Sequence, residues 1–353
     1  MPLVEHMQLP TFSRLRQQGQ EVLSLERAEH QDIRELHIGI LNMMPDAALE
    51  ATERQFIRLV GNCNRIAQFY VYPFSLPEIN RSRKTQDYIE QYYCKFEDLK
   101  KQGLDALIIT GANPSSSALE DETFWQPLAE VVNWADRNVA STLCSCLASH
   151  AILKQLHGIE RQALSDKCWG VFNHHILAPQ HPLLRDINTR FDVPHSRHNE
   201  ISAAQFEQAG LTVLVASRAA GVQMAVSADQ FRMIFFQGHP EYDINSLLKE
   251  YKREVQRYLK DELTDTPAYP SNYFSPEARQ VAQEFLQSAK SNELLPVTFE
   301  DQLQAHLDNT WGDTAKAIVS NWLGLVYQVT NLDRSRQFMD GINAEDPLGI
   351  RSL

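Results

Sequence analysis

Ala106-Leu107-Ile108-Ile109-Thr110-Gly111-Ala112-Asn113-Pro114 opens on an unbroken apolar run and closes on turn residues. A short run of this kind, bounded by Gly, Asn and Pro, marks a strand buried on both faces. Strands of the same character are predicted at Leu36–Leu41, Ile66–Tyr72 and Val139–Leu143. Between them the apolar spacing changes to that of helices: Ala48–Leu59, Tyr88–Phe96, Trp125–Trp134 and Leu147–Leu156. Strands alternating with helices predict an α/β fold, a mostly parallel open sheet flanked by helices.

The pattern changes after Gly158. Short strands are expected at Leu211–Ala216, Val222–Ser227 and Met233–Gln237, then a helix over Ile244–Tyr258. Residues 259–297, rich in Pro, Asn, Ser and charge, read as an irregular wrap. Two helices, Phe299–Leu307 and Ala315–Val329, form a helical C-terminal extension. The organisation is thus an N-terminal arm over 1–34, a catalytic domain over 35–330 and a loose polar tail over 331–353.

Composition narrows the function. A chain of 353 residues, 43% hydrophobic, buries a large core. A net charge of −12 argues against nucleic acid as a partner, because phosphate contacts need a basic surface. No apolar run approaches the ~18 residues of a membrane span, and the first residues lack a basic-then-apolar leader. Five cysteines with no CxxC pair predict free thiols and a cytoplasmic location.

Two segments carry chemistry. In Ser141-Thr142-Leu143-Cys144-Ser145-Cys146-Leu147-Ala148 a strand ends and a helix begins within a few residues. A nucleophile at such a turn lies at the carboxyl edge of the sheet, with the helix N-terminus lowering its pKa and backbone N–H groups, that of Leu147 first, forming an oxyanion hole. Cys146 fits better than Cys144, which falls within the strand. In Phe236-Gln237-Gly238-His239-Pro240-Glu241 a strand ends at a Gly that permits close backbone approach. His239 is the expected base, and Glu241 lies within reach of its second ring nitrogen. Together they make a Cys–His–Glu triad at the carboxyl ends of two strands, where open α/β sheets place their sites.

Phe191-Asp192-Val193-Pro194-His195-Ser196-Arg197-His198 reads as a substrate-binding loop. A zinc site from His174, His175, His195 and His198 lacks companion cysteines or HExxH spacing, so no metal is expected. No phosphate-binding glycine loop is present.

The sequence resembles the homoserine O-succinyltransferase/O-acetyltransferase family, which has a class I glutamine-amidotransferase-like fold. The matching strings are Asn42-Met43-Met44-Pro45, Thr52-Glu53-Arg54-Gln55-Phe56, Ile108-Ile109-Thr110-Gly111-Ala112, Ser141-Thr142-Leu143 before Cys146, and Gly170-Val171-Phe172 after Lys167. Pro194-His195-Ser196-Arg197, Gly238-His239-Pro240-Glu241-Tyr242-Asp243, Asn272-Tyr273-Phe274 and Asn321-Trp322-Leu323 come after them in the same order. The chain departs from the family at Leu147, where Trp is frequent, and at Asp46, where Lys is frequent.

The resemblance implies an acyltransferase with L-homoserine and acyl-CoA as substrates, no separate cofactor and a ping-pong acyl-cysteine route in methionine biosynthesis. It implies that Lys167, Ser196 and Arg253 bind the amino acid, and it leaves a homodimer open. It also makes Ser115 the position that selects the donor. A small neutral side chain there admits the succinyl carboxylate, so succinyl-CoA is expected over acetyl-CoA. An amidohydrolase of the glutamine-amidotransferase kind is the competing reading from another class, since it uses the same triad.

Overall fold

The buried run at 106–109 lies near the middle of an eleven-stranded sheet. A computed structural model of the chain describes residues 3–63, 67–116, 118–289, 299–336 and 341–351. The first half contributes β1 (Leu3–Glu5), α1 (Pro10–Gln17), β2 (Val22–Ser24), α2 (Leu25–Glu29), β3 (Glu35–Leu41) and α3 (Asp46–Gly61). Then come β4 (Gln68–Phe74), α4 (Arg83–Tyr92), α5 (Phe96–Gln102), β5 (Ala106–Ile109), α6 (Trp125–Asn138), β6 (Ser141–Ser145) and α7 (Leu147–His157). The second half contributes β7 (Gln162–Ile176), β8 (Arg190–Glu200), α8 (Ala203–Gln208), β9 (Thr212–Ser217), β10 (Gly221–Val226) and β11 (Met233–Phe236). It closes with α9 (Ser246–Leu259), α10 (Pro276–Ala289), α11 (Phe299–Gln304) and α12 (Gly312–Val329).

The strand order is β2-β1-β4-β3-β5-β6-β11-β10-β9-β7-β8. Neighbours from β2 through β11 pair in parallel, and the remaining four strands pair antiparallel. The two-residue period of a strand sends Ala106 and Ile108 into one core and Leu107 and Ile109 into the other. The first core is closed by Phe56, Ile57 and Val60 of α3 and by Trp322, Leu323 and Val326 of α12. The second is closed by Leu128, Val131 and Val132 of α6 and by Ala148, Ala151 and Ile152 of α7. A third cluster joins α9, α10 and α11 around Tyr251, Leu286 and Phe299.

Several expectations need correction. The arm expected over residues 1–34 contributes β1 and β2 to the sheet edge, with Leu3 opposite Phe69 of β4. The helix expected over Tyr88–Phe96 is two helices. Ser82 caps α4 from six residues earlier, and Cys94 leaves the helical path to bridge Phe74. The expected start of β4 at Ile66 lies outside the described residues. The wrap expected over 259–297 contains α10, where Pro276 opens the helix and the Ser275 hydroxyl accepts from the Ala278 N–H; residues 290–298 lie outside the described set. Phe191–His198, expected as a loop, belongs to β8. The tail expected to be loose packs Ile342 and Leu348 against the first core.

Candidate active site

The site is built by one pair of parallel strands. Ser145, the last residue of β6, stands opposite Phe236, the last residue of β11. The two chain segments leaving these strands therefore emerge side by side: Cys146 from one, Gly238-His239 from the other. Cys146 donates its backbone N–H to the Phe236 carbonyl at 2.8 Å. Ser149, in the first turn of α7, donates its hydroxyl to both the Cys144 and Phe236 carbonyls, at 2.9 and 2.8 Å. These bonds hold Cys146 at φ 52°, ψ −116°, a backbone conformation that costs a non-glycine residue about 1–3 kcal/mol. The neighbouring bonds over-determine the turn, and its product is a thiol displayed at the start of a helix. Cys146 is partly exposed, whereas Cys144 is fully buried and burial pushes its thiol pKa far up.

His239 is set by equally specific contacts. Its backbone N–H donates to the Pro194 carbonyl of β8 at 2.8 Å. The preceding Gly238 packs so tightly that a Cβ there would stand 2.5 Å from Gln223 Oε1 and 2.8 Å from the His195 ring. Only glycine fits without displacing both. His239 Nδ1 meets Glu241 Oε1 at 2.8 Å, and the Cys146 thiol lies near enough to act on the charge of the ring. Tyr242 stacks on the imidazole at 4.3 Å between centroids. Burial works against a charged His239, but Cys146 and Glu241 on either side outweigh it and raise its pKa well above the ordinary histidine value. The arrangement favours an imidazolium facing the sulfur, the form that stabilises a thiolate and later returns a proton to a leaving group.

Two backbone segments lie beside Cys146. Leu147 opens α7, so its N–H has no partner within the helix. Gly111, just past β5, faces the same spot: a Cβ on it would sit 3.5 Å from Cys146 Cβ and 3.7 Å from Leu147 N. Its backbone passes close to Cys146 because it has no side chain.

Of the expected amino-acid-binding residues, Lys167 and Ser196 come together, on the adjacent strands β7 and β8. Both reach Glu250 of α9: Lys167 Nζ at 3.3 Å and the Ser196 hydroxyl at 2.6 Å. The Tyr242 hydroxyl donates to the other Glu250 oxygen at 2.9 Å. Burial alone would raise the Glu250 pKa, but Lys167, the two hydroxyls and His239 offset it and hold the carboxyl below its ordinary range. Arg253 lies one turn further along α9 from Glu250, exposed and without an ion pair among the described residues. Sequence reasoning missed Glu250; its signal was an acid three residues before Arg253 on the same helix.

Ser115 lies in the loop after β5. Its backbone N–H, that of Ser116 and its own hydroxyl all donate to the carboxylate of Glu122. A carboxylate thus stands beside the position expected to be neutral, a second residue the sequence did not reveal. His174 and His195 stack at 5.0 Å within the protein, with Nε2 atoms 3.1 Å apart, while His175 and His198 point outward from the same strands. Among the described residues no three ligating side chains converge for a metal.

A cysteine at a strained strand–helix turn, a histidine paired to a glutamate and backbone donors at the carboxyl edge of a parallel sheet are the constellation of an α/β protein suited to acyl transfer through sulfur. The chain belongs to the homoserine O-succinyltransferase family, whose model matches residues 2–332. It is 59% identical to a homoserine O-succinyltransferase of Thiothrix nivea, over 99% of both chains. It is 56% identical to one of Methylobacter tundripaludum, over 99% of this chain and all of that one. Among solved structures, a glutamine amidotransferase from Thermotoga maritima covers 84% of this chain and 99% of its own, at 12% identity and a TM-score of 0.42. One from Methylobacillus flagellatus covers 83% and 95%, at 14% identity and a TM-score of 0.44.

Proposed function

We propose that this chain transfers the succinyl group of succinyl-CoA to the hydroxyl of L-homoserine. The observation that carries the reading is the meeting of Cys146, His239 and Glu241 beside a second cluster with both charges an amino acid needs, in a chain that matches the succinyltransferases over its whole length. The Cys146 thiolate attacks the thioester carbonyl, and the oxyanion is received at Leu147 and Gly111. The C–S bond to CoA breaks, and His239 gives its proton to the departing thiolate. Homoserine then enters. His239 takes the proton of its hydroxyl, the oxygen attacks the acyl-cysteine, and the Cys146 thiolate leaves. Thioester exchange is nearly isoenergetic, so positioning and charge stabilisation supply the catalysis.

Glu250 receives the substrate ammonium, while Lys167 and Arg253 hold its carboxylate; a guanidinium presents two parallel N–H groups to such a partner. Glu241 orients His239, and Ser115 borders the acyl chain. Acyl-CoA is consumed as a substrate, and the residues invoked supply every proton the route needs. Among the described residues no helix is long and apolar enough to cross a membrane. The five free thiols suit the reducing cytoplasm.

Initial-rate kinetics test this reading. Parallel double-reciprocal lines for succinyl-CoA against homoserine, with succinyl-CoA preferred over acetyl-CoA, are expected. Intersecting lines would exclude a free acyl-enzyme, a preference for acetyl-CoA would reassign the donor, and ammonia release from glutamine without CoA chemistry would favour an amidohydrolase.

A further inference from the structure

The turn that carries His239 is held from three sides. Pro194 of β8 accepts the His239 backbone N–H at 2.8 Å, and Gln223 of β10 accepts the Gly238 N–H through Oε1 at 2.8 Å. The third side is an imidazole. His195 is fully buried, and its Cε1 and Nε2 each lie 2.8 Å from where a Cβ on Gly238 would stand. His195 is held in turn by His174 of β7: their Nε2 atoms are 3.1 Å apart and the ring planes differ by 13°. Phe172 meets the His195 ring edge-on, with centroids 5.9 Å apart. The direction of the bond between the two histidines follows from its ends. His174 Nδ1 lies 2.8 Å from the Phe172 carbonyl, which can only accept, so Nδ1 carries the His174 proton. A neutral His174 then has a bare Nε2, and His195 Nε2 is the donor to it. His195 Nδ1 is buried with no hydrogen-bond partner among the described residues. A proton there would leave an unpaired N–H and cost its desolvation. Both rings are therefore neutral, each in a single tautomer, and burial pushes both pKa values the same way; His174, Arg197 and His239 add to the effect at His195.

We propose that His195 is a positioning residue for the base: its Nε2–H bond to His174 locks the ring against Gly238 and so fixes how His239 meets Cys146. The inference rests on Cys146 and His239 being the reacting pair of the route above. Gly238 has no side chain to resist a shift of the turn, and the His195 ring fills the space into which the turn would move. Rotation of that ring is opposed by one hydrogen bond and by the edge of Phe172. Misplacing a reacting group by about 1 Å can cost about 10²-fold in rate. The same stretch of β8 also carries Ser196 to Glu250, so three consecutive residues touch the base at one end and the proposed amino-acid cluster at the other.

The test follows alkylation of Cys146 by iodoacetamide against pH, read by peptide mapping so that the other thiols do not count, in wild type, His195→Leu and His195→Gln. The rate of the acyl-enzyme burst from succinyl-CoA is measured beside it. A Gln amide can place an N–H donor where Nε2 stands, and Leu cannot. His195→Leu is expected to raise the alkylation midpoint by about one pH unit or more, because the thiolate loses a well-placed imidazolium. It is expected to slow the burst by about 10- to 100-fold, and His195→Gln to stay within about threefold of wild type. A merely structural role would lower the melting temperature of both variants and leave the midpoint in place; that result, or Gln behaving as Leu does, would overturn the proposal. Should His195→Leu fail to fold, His174→Leu removes the same bond from the acceptor's side, and an unshifted midpoint there overturns it equally. A wild-type midpoint near that of an ordinary cysteine would remove the Cys146–His239 pair itself. A depressed wild-type midpoint that His195→Leu leaves unchanged removes His195 alone.

Discussion

Cys146 and Cys144 are two residues apart, yet the fold gives them opposite chemistry. Cys144 lies in the sheet with no exposed surface, and burial disfavours its thiolate. Cys146 leaves the strand in a strained conformation that only the surrounding bonds sustain. Cys146→Ala is therefore expected to abolish acyl transfer, while Cys144→Ala keeps most of it at some cost in stability from the lost core volume; steady-state turnover of both decides, and the reverse order would move the nucleophile. Glu241→Gln keeps the shape but loses the charge that fixes the tautomer of His239. By analogy with the buried aspartate of serine proteases it is expected to lower kcat by up to about 10⁴, and a loss of less than about threefold would reduce the triad to a dyad. These residues were legible in the sequence because each carries its own local signal: a cysteine between strand and helix, a glycine before a histidine, an acid two residues on. Glu250 and Glu122 were not. Each acquires its role from groups 54 and 7 positions away in the chain, and an acidic residue on a polar helix or loop is ordinarily a solvated charge.

At the scale of elements, α9 carries both Glu250 and Arg253, two of the residues proposed to bind the amino acid. Glu250 and Arg253 lie one turn apart on α9, while Leu247, Leu248 and Tyr251 of the same helix fill the third cluster. In the proposed reading the substrate carboxylate and ammonium are met from this one helix, with Lys167 and Ser196 on β7 and β8 reaching Glu250. Arg253→Ala is expected to raise the homoserine KM at least about tenfold, the scale of one charge-assisted contact, with little change in the CoA burst that reports acyl-enzyme formation. A lost burst would assign Arg253 to the acyl-CoA half-reaction. The elements most open to sequence reading were those with a strong period: β3, β5, β6, α6, α7 and α12 fall within a few residues of expectation. The β7–β8 hairpin escaped because its inward and outward residues mix charge, histidine and glycine, and Gly170 at mid-strand accommodates Ser271 where a Cβ would clash with backbone at 2.2 Å. A strand interrupted for another segment's approach shows no clean alternation.

Across the whole molecule, burial has fixed the protonation of several histidines. His150, His174 and His181 are kept neutral, each with a pKa pushed down to about 4 by burial. In the unfolded chain they titrate near 6.5, so between these values the unfolded state binds more protons. Stability should therefore fall as pH drops through about 6.5 and level off near 4, each group contributing up to about 1.4 kcal/mol per pH unit. His239 runs the other way: its raised pKa contributes stability at low pH that is lost as pH rises through the folded value. Thermal melts from about pH 7 to about pH 5 are expected to shift downward. His181→Asn, which keeps a side chain able to cap Leu183, is expected to flatten that slope; an unchanged slope would mean that His181 is not buried neutral.

In the proposed route the parallel sheet, the turn after β6 and the loop after β11 serve one purpose, which is to let sulfur carry the acyl group between two substrates. The most direct measurement is the intact mass of the protein after incubation with succinyl-CoA alone, and again once homoserine has been added. A single succinyl increment is expected, located on Cys146 by peptide mapping, that disappears when homoserine is added as O-succinylhomoserine forms. Transfer without any increment, or an increment on another residue that homoserine does not remove, would contradict the acyl-cysteine route.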